Sequence, residues 1–345
     1  MKKSLIALAV LAASSASFAQ VSITGYMAYG FQSTTTGGSS VTGTGSAEEA
    51  GFGAETARVF FTAKEDLGGG YAATASLSIN TGPQSAATGE DHSLTLATPV
   101  GGLTLGTAKG QDYLSSYINA VAAVGSYYDG WDTKLFTART KRDYAAFTVP
   151  VGAFTFALAQ HESADSVVFG TGTAGSSSVT NGTPAGGSSA GVTTLSATYA
   201  AGPLVANGQY AIYKSSQAAN NAKDTTRLSA NYDLGMVKLG GGLVVTNHDN
   251  GGVASQGPKT TDYLIGAKIP MGASSFGLSF ASRTQADILA ASSSYTGTGY
   301  SLEYGYAMSK RTSVVANYAR WTSPVGVATN KDASSRYQLL LAHAF

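Results

Sequence analysis

Cysteine is absent from this 345-residue sequence. Its absence excludes a disulfide scaffold, a thiolate metal site and a thiol nucleophile. Charged residues are also scarce, at 12% of the chain, and they nearly balance, with 21 Lys and Arg against 20 Asp and Glu. Such neutrality lacks the basic surface that nucleic-acid binding requires, so we expect no nucleic-acid partner. A chain of this length without disulfides must be held together by backbone pairing and burial.

Long apolar runs are missing after residue 19, so the sequence offers no transmembrane helix there. Residues 1–19 begin with Lys2 and Lys3, continue through a short apolar stretch and end in a small-x-small site at Ala19. An uncleaved anchor helix is the alternative, but the apolar stretch is too short to span a bilayer. We therefore predict a signal peptide cleaved after Ala19, which leaves a single domain over residues 20–345.

Glycine and tyrosine are abundant, with 43 and 19 residues, and the chain repeats one short pattern. From Val21 to Gln32 apolar and polar side chains alternate, and Arg58 to Ile79 contains two alternating runs around a glycine-rich turn. Similar hairpins recur to Phe345, and turns of a few residues alternate with longer Gly/Ser/Thr-rich loops. The pattern predicts an all-β fold, a transmembrane antiparallel β-barrel of about 16 strands with short periplasmic turns and long extracellular loops.

A secreted β-sandwich or β-solenoid is the alternative fold, but the features at both ends of the chain favour the barrel. A barrel of this strand number encloses an aqueous channel rather than a packed core. We therefore expect an outer-membrane location, with contacts to outer-membrane lipid and lipopolysaccharide, and small hydrophilic solutes and ions as the transported partners.

One connection differs from the others. Residues 109–142 carry dense mixed charge and also apolar side chains at spacings of three and four, which favour a short helix. These apolar residues are Leu114, Tyr117, Ile118, Val121 and Val124. Because a loop of this length is usually functional or disordered, we predict that residues 110–138 fold into the lumen and narrow it.

Charged side chains around this connection are the candidate pore lining. Alternation places Arg58 on the strand face opposite the apolar residues. Arg142 is two residues from Tyr144 and lies on the same strand face, so Arg58 and Arg142 should both face the lumen. A charge on the lipid face near mid-membrane would cost about 2–4 kcal/mol, which favours the inward placement. The full predicted constriction set is Arg58, Lys109, Asp112, Asp129, Asp132, Arg139, Lys141 and Arg142. The basic members suggest a weak anion preference that the aspartates could cancel, and anchoring of the loop to the wall is an equally open role.

Several segments resemble one known family, the trimeric general porins of β-proteobacteria of the Neisseria–Burkholderia–Bordetella type. The resemblance lies in EDLGGG within Arg58–Leu77, in GGLTLGTAKG before the long connection, in YSLEYGYAMSKRTSVVANY over Tyr300–Tyr318 and in the ending LLLAHAF. It implies a sixteen-stranded homotrimer for passive diffusion, a third extracellular loop folded inward, and Phe345 as part of the membrane assembly signal. The chain departs from the family in carrying Lys109 where Arg is common and in lacking a Pro-Glu-Phe motif in the loop.

Other functions remain as alternatives. A substrate-specific channel on the same barrel could use an aromatic track for sugars or nucleosides, formed by Tyr113, Tyr117, Tyr127, Tyr128 and Trp131. A barrel enzyme or adhesin is a further possibility, but no G-x-S-x-G elbow is present. The four histidines have no metal spacing, and Asp129-Gly130-Trp131-Asp132 lacks the ligands of a calcium loop, so we expect neither a metal nor a cofactor.

Overall fold

The computed structural model describes the chain in nine segments, residues 20–37, 46–82, 87–109, 141–162, 191–213, 222–248, 259–286, 294–322 and 333–345. The described residues form sixteen strands, all paired antiparallel. A helix long and apolar enough to cross a membrane is not found among these residues.

The strands are β1 Gln20–Thr36, β2 Ala47–Gly68, β3 Tyr71–Asn80, β4 Thr88–Thr98, β5 Gly101–Lys109, β6 Lys141–Val151, β7 Phe154–Glu162, β8 Gly191–Ala201, β9 Leu204–Tyr213, β10 Ala222–Asp233, β11 Lys238–His248, β12 Lys259–Met271, β13 Ser274–Ala286, β14 Ser294–Ala307, β15 Thr312–Trp321 and β16 Ser334–Ala344. Each strand pairs with its neighbours in sequence, and β1 pairs with β16. The sheet therefore closes into a barrel, and the predicted fold is confirmed.

Closure of the barrel is fixed at the two ends of the chain. The Gly25 N–H donates to the Phe345 carbonyl at 2.9 Å, and the Phe345 N–H donates to the Gly25 carbonyl at 2.8 Å. A Cβ at position 25 would lie 2.5 Å from the Phe345 ring, so the ring packs where only glycine leaves room. The register continues from Tyr26 opposite Ala344 to Thr35 opposite Ser335.

The outer face of the barrel is apolar. On β14, for example, Tyr300, Leu302 and Tyr304 are exposed while the residues between them are buried. The rings of Phe276 and Tyr304 approach to 5.0 Å near the short turns, and those of Tyr300 and Tyr318 to 6.1 Å nearer the long connections. An aliphatic belt between aromatic bands is the surface that a membrane barrel presents to lipid.

The first hairpin is longer than the sequence pattern predicts. Alternation in the sequence ends at Gln32 and resumes at Arg58, but β2 begins at Ala47 and pairs with the end of β1 through Thr36 opposite Ala47. The segment does not alternate cleanly because of a bulge, at which Ala28 pairs with Thr56 and Tyr29 with Ala54. The extra residue, Glu55, reverses which residues of β2 face inward. Backbone hydrogen bonds to β1 hold the strand despite this irregular side-chain pattern.

The inner face differs around the circumference. On β11–β16 the inward side chains are mostly buried, and Val244 and Leu264 are 0% exposed. On β3–β7 the inward side chains, such as those of Thr95, Thr104 and Arg142, remain partly accessible. The water-accessible part of the described inner wall therefore lies mainly along β2–β7, with single half-buried residues such as Arg227 on β10, and not along β11–β16.

Candidate functional site

Arg58 lies on the inner face of β2 and forms an ion pair with Glu90, which lies in a β-bulge of β4. Its Nε is 2.8 Å from Glu90 Oε2, and its Nη2 donates to Glu90 Oε1 at 3.1 Å. Asn80 Nδ2 donates to the same Oε1 at 2.9 Å. Glu90 is 8% exposed and the Arg58 side chain 25%, so the arginine is the more accessible member of the pair, although its Nε is buried. A buried carboxylate thereby orients an accessible cation.

The bulge in β4 explains why Glu90 points inward. Ile79 pairs with Gly89 and Leu77 with His92, so Glu90 and Asp91 both oppose Ser78. The Asp91 N–H donates to Ser78 Oγ at 3.0 Å, which fixes the extra residue in place. Simple alternation cannot predict the facing of two consecutive residues, because the bulge breaks the period of two.

A second basic group lies on β6, β7 and β10. Arg142 and Tyr144 share the inner face of β6, and the Tyr144 ring lies 5.8 Å from the ring of His161 on β7. Arg142 and Arg227 both interact electrostatically with His161. Arg227 also donates from Nη1 to Gln209 Oε1. These side chains are half-buried, so their polar ends border the accessible part of the lumen.

Asp262 on β12 and Arg283 on β13 form a buried pair, and Arg227 on β10 also interacts electrostatically with Asp262. Arg283 Nε is 2.6 Å from Asp262 Oδ1, and its Nη2 donates to Oδ2 at 2.9 Å. The two side chains are 1% and 9% exposed. This bidentate pair satisfies both charges within the wall, so it contributes little field to the lumen.

The structure brings two of the predicted constriction residues to the inner wall, Arg58 and Arg142. Lys109 and Lys141 lie opposite each other at the ends of β5 and β6, but their side chains fall outside what is described. The remaining four, Asp112, Asp129, Asp132 and Arg139, lie outside the described residues, as do the five aromatic residues of the proposed track.

Sequence reasoning missed several inward charges: Glu90, His161, Arg227, Asp262, Arg283 and Arg336. Strand alternation would have identified most of these residues. Arg227 is adjacent in sequence to the outward Leu228 and Arg283 to the outward Ser282, so both arginines fall on the inner face. Among the described residues, no group of three or more His, Cys, Asp or Glu could hold a metal ion.

Comparisons with known proteins agree with this architecture. A family described as Gram-negative porin matches residues 5–323. The anion-selective porin from Comamonas acidovorans is similar in structure, with a TM-score of 0.67, 20% identity, and coverage of 95% of this chain and 100% of that chain. No curated protein matches in sequence.

Two further solved structures are similar. The outer membrane channel DcaP of Acinetobacter baumannii has a TM-score of 0.65 at 12% identity, covering 95% of this chain and 97% of that chain. OmpT of Vibrio cholerae, in its trimer form, has a TM-score of 0.63 at 12% identity, covering 94% and 99%. At these identities the likeness shows the fold alone.

Proposed function

The chain belongs to the Gram-negative porin family and is an outer-membrane channel for passive diffusion, and we propose that this channel has a weak preference for small anions. Family and fold point to a channel rather than an enzyme. The single observation that carries the selectivity proposal is the sign of the partly accessible inward charges, because Arg58, Arg142 and Arg227 are all basic and only half-buried.

Most acids of the inner wall are less accessible than these bases, with exceptions such as the exposed Glu49 near the start of β2. Glu90 and Asp262 are buried and bound to arginines. Glu303 is buried as well, and the half-buried Glu55 accepts a hydrogen bond from Gln338 at 3.0 Å. Asp91 is the half-buried acid nearest Arg58 along the wall. Fixed charge at the lumen surface lowers the barrier for counterions, so the balance favours anions, and the remaining acids keep the preference weak.

Planar-bilayer recording in a salt gradient tests this proposal. We expect stepwise conductance and a reversal potential of anion sign. A reversal potential of cation sign would reject the selectivity and leave the channel intact. Absence of stepwise conductance from folded protein would contradict the channel itself.

The connection between β5 and β6 is proposed as the constriction, with residues 110–138 folded into the lumen. One fact supports this: it is the third of the long connections counted from β1. The aspartates of this connection would then oppose Arg58 and Arg142 across the bore.

Assembly as a homotrimer is also proposed. The outer face of β1 and β2 exposes large apolar side chains near the long connections, including Phe52, which is 86% exposed and in edge contact with Phe31 at 5.3 Å. A patch of this kind beyond the lipid belt favours protein contact. OmpT, a similar structure, has a trimer form.

Export by a signal peptide over residues 1–19 is proposed on the sequence pattern, and β1 begins at Gln20, directly after the predicted cleavage site. We also propose membership of the β-proteobacterial branch of the family. Its support is the position of the two quoted hairpin motifs: EDLGGG ends β2 and leads into Tyr71, and SKRT joins β14 to β15. Phe345, the proposed assembly signal, lies at the β1–β16 closure.

A further inference from the structure

Two aromatic side chains lie next to arginines on the inner wall of the barrel. Most large aromatic side chains of the described strands face outward, but Phe60 and Tyr144 face the lumen. Phe60 follows Arg58 by two residues on β2, and Tyr144 follows Arg142 by two residues on β6. Residues two apart share one strand face and lie roughly 7 Å from each other. Each ring is therefore the next inward side chain after an arginine.

Each of these rings has a partner ring on the neighbouring strand. Tyr26 on β1 lies opposite Arg58, and its ring centroid is 5.8 Å from that of Phe60, with the ring planes 29° apart. His161 on β7 lies opposite Tyr144, with centroids 5.8 Å apart and planes at 32°. Each pair therefore forms a broad aromatic surface beside a cation. The two sets are the β2 cluster, with Arg58, Phe60 and Tyr26, and the β6 cluster, with Arg142, Tyr144 and His161.

The two clusters have the same order along the barrel wall. β2 and β6 each begin at a long connection and end at a short turn, so Phe60 and Tyr144 both lie on the short-turn side of their arginines. The long connections of an outer-membrane channel face the cell exterior. A solute that enters from outside therefore meets the guanidinium first and the ring pair next, in both clusters.

The arginines keep bonding capacity for an anion. Glu90 takes up Nε and Nη2 of Arg58, which leaves Nη1 available to a ligand among the described contacts. A guanidinium binds a carboxylate through its planar fork. Glu90 compensates Arg58, and Asp91 interacts electrostatically with Tyr144, so the acids keep an anion from binding tightly. Weak binding suits a channel, because a transported solute must leave its site as readily as it enters.

We propose that the β2 cluster and the β6 cluster are weak binding sites for aromatic carboxylates that pass through the lumen. The carboxylate bonds the guanidinium, and the planar ring of the anion stacks on the neighbouring ring pair. An aliphatic carboxylate of the same charge gains only the first contact, and an uncharged aromatic molecule gains only the second. The inference deepens the proposed anion preference and rests on it for the entry of anions into the lumen.

Block of single-channel conductance in planar bilayers tests the clusters. The probes are benzoate and cyclohexanecarboxylate, added at neutral pH to symmetrical potassium chloride, since both are monoanions with a six-membered ring and only benzoate is aromatic. The variants are Phe60→Leu, Tyr144→Leu and the double variant. Matched controls are Phe61→Leu and Phe147→Leu, which remove a ring from the outer face of the same strands: Phe61 pairs with the exposed Leu77, and Phe147 is itself exposed.

We expect benzoate to block the wild type at a concentration about two- to tenfold lower than cyclohexanecarboxylate, because an aromatic pair contributes about that factor beyond the burial of area. Each ring variant should lose part of this preference. The double variant should be blocked by the two anions at equal concentrations, since it keeps the arginines and loses the inward rings. The controls should show the preference of the wild type.

Three results would overturn the proposal: equal block of the wild type by the two anions, an unchanged benzoate preference in the double variant, or the same loss of preference in the controls. If a ring variant does not fold, the wild type must still prefer benzoate, and Phe60→Tyr, which keeps a ring, must retain that preference.

The reversal potential of the wild type in a potassium chloride gradient separates this inference from the proposed function. An anion sign without benzoate preference rejects the clusters and leaves the anion preference standing. A benzoate preference with a cation sign rejects the anion preference and leaves the clusters standing.

Discussion

Neutralising Arg142 is the sharpest test of the selectivity proposal. Its guanidinium lies on the inner face of β6, half-buried and beside His161 on the accessible side of the lumen. A unit charge about 5 Å from a passing ion contributes about 0.8 kcal/mol in water, and 0.1 M salt reduces this to about 0.5 kcal/mol. Because the charge attracts chloride and repels potassium by this amount, we expect Arg142→Gln to lower the chloride-to-potassium permeability ratio about fivefold.

Arg227→Gln should act in the same direction, because Arg227 borders the same space and interacts with the same histidine. The matched control is the double variant Asp262→Asn with Arg283→Gln. It also removes an inward arginine, but it removes the acid of the buried pair as well, so no charge is left uncompensated. Its permeability ratio should change much less than that of Arg142→Gln, because the net charge is kept, although Asp262 also interacts with Arg227.

The assay is the reversal potential of single channels in a potassium chloride gradient, repeated at high salt. The effect of Arg142→Gln should shrink as salt screens the charge. An unchanged ratio for both Arg142→Gln and Arg227→Gln would refute the reasoning. A shift in the buried-pair control as large as that in Arg142→Gln would also refute it, because accessibility would then not decide which charges act on ions.

Three further outcomes are expected. Gly30→Ala should reduce the folded fraction on heat-modifiability gels several-fold, since a Cβ there would overlap a carbonyl of β16, whereas Gly53→Ala, with open space around its Cβ, should fold like the wild type. Arg58→Gln should cost about 1.5–3 kcal/mol in urea unfolding, because it removes the charged hydrogen bonds between Arg58 and the buried Glu90, which keeps its bond from Asn80. Adding Glu90→Gln should recover most of that loss, and an equal loss in single and double variants would contradict this reasoning. Removal of the Phe345 side chain by Phe345→Ala should slow barrel assembly in cells, measured by pulse-chase, and normal assembly kinetics would argue against a role at the closure.

The sequence predicted the architecture well because a membrane barrel repeats one constraint. Every strand must present apolar side chains to lipid and pair its backbone on both sides, so period-two alternation and glycine turns recur along the chain. The predicted recurrence of hairpins up to Phe345 is confirmed, for example by β6 and β7 around the turn at Gly152 and by β14 and β15 around the turn at SKRT. The same parity put Arg58 and Arg142 on the inner face.

Alternation could not predict the lumen in the same detail. The bulge that turns Glu90 inward depends on pairing with Ser78, a residue on another strand, and the extension of β2 to Ala47 depends on pairing with β1. Which cations border water is likewise a property of the closed barrel: Arg142 remains accessible while Arg283 is buried against Asp262.

The sequence by itself determined that the chain spans a membrane as a closed sheet, because local alternation records which side of each strand meets lipid. Only the tertiary structure decided which inward charges are paired, buried or open to ions. Those properties arise from contacts between strands that lie far apart in the chain, and a period of two carries no information about them.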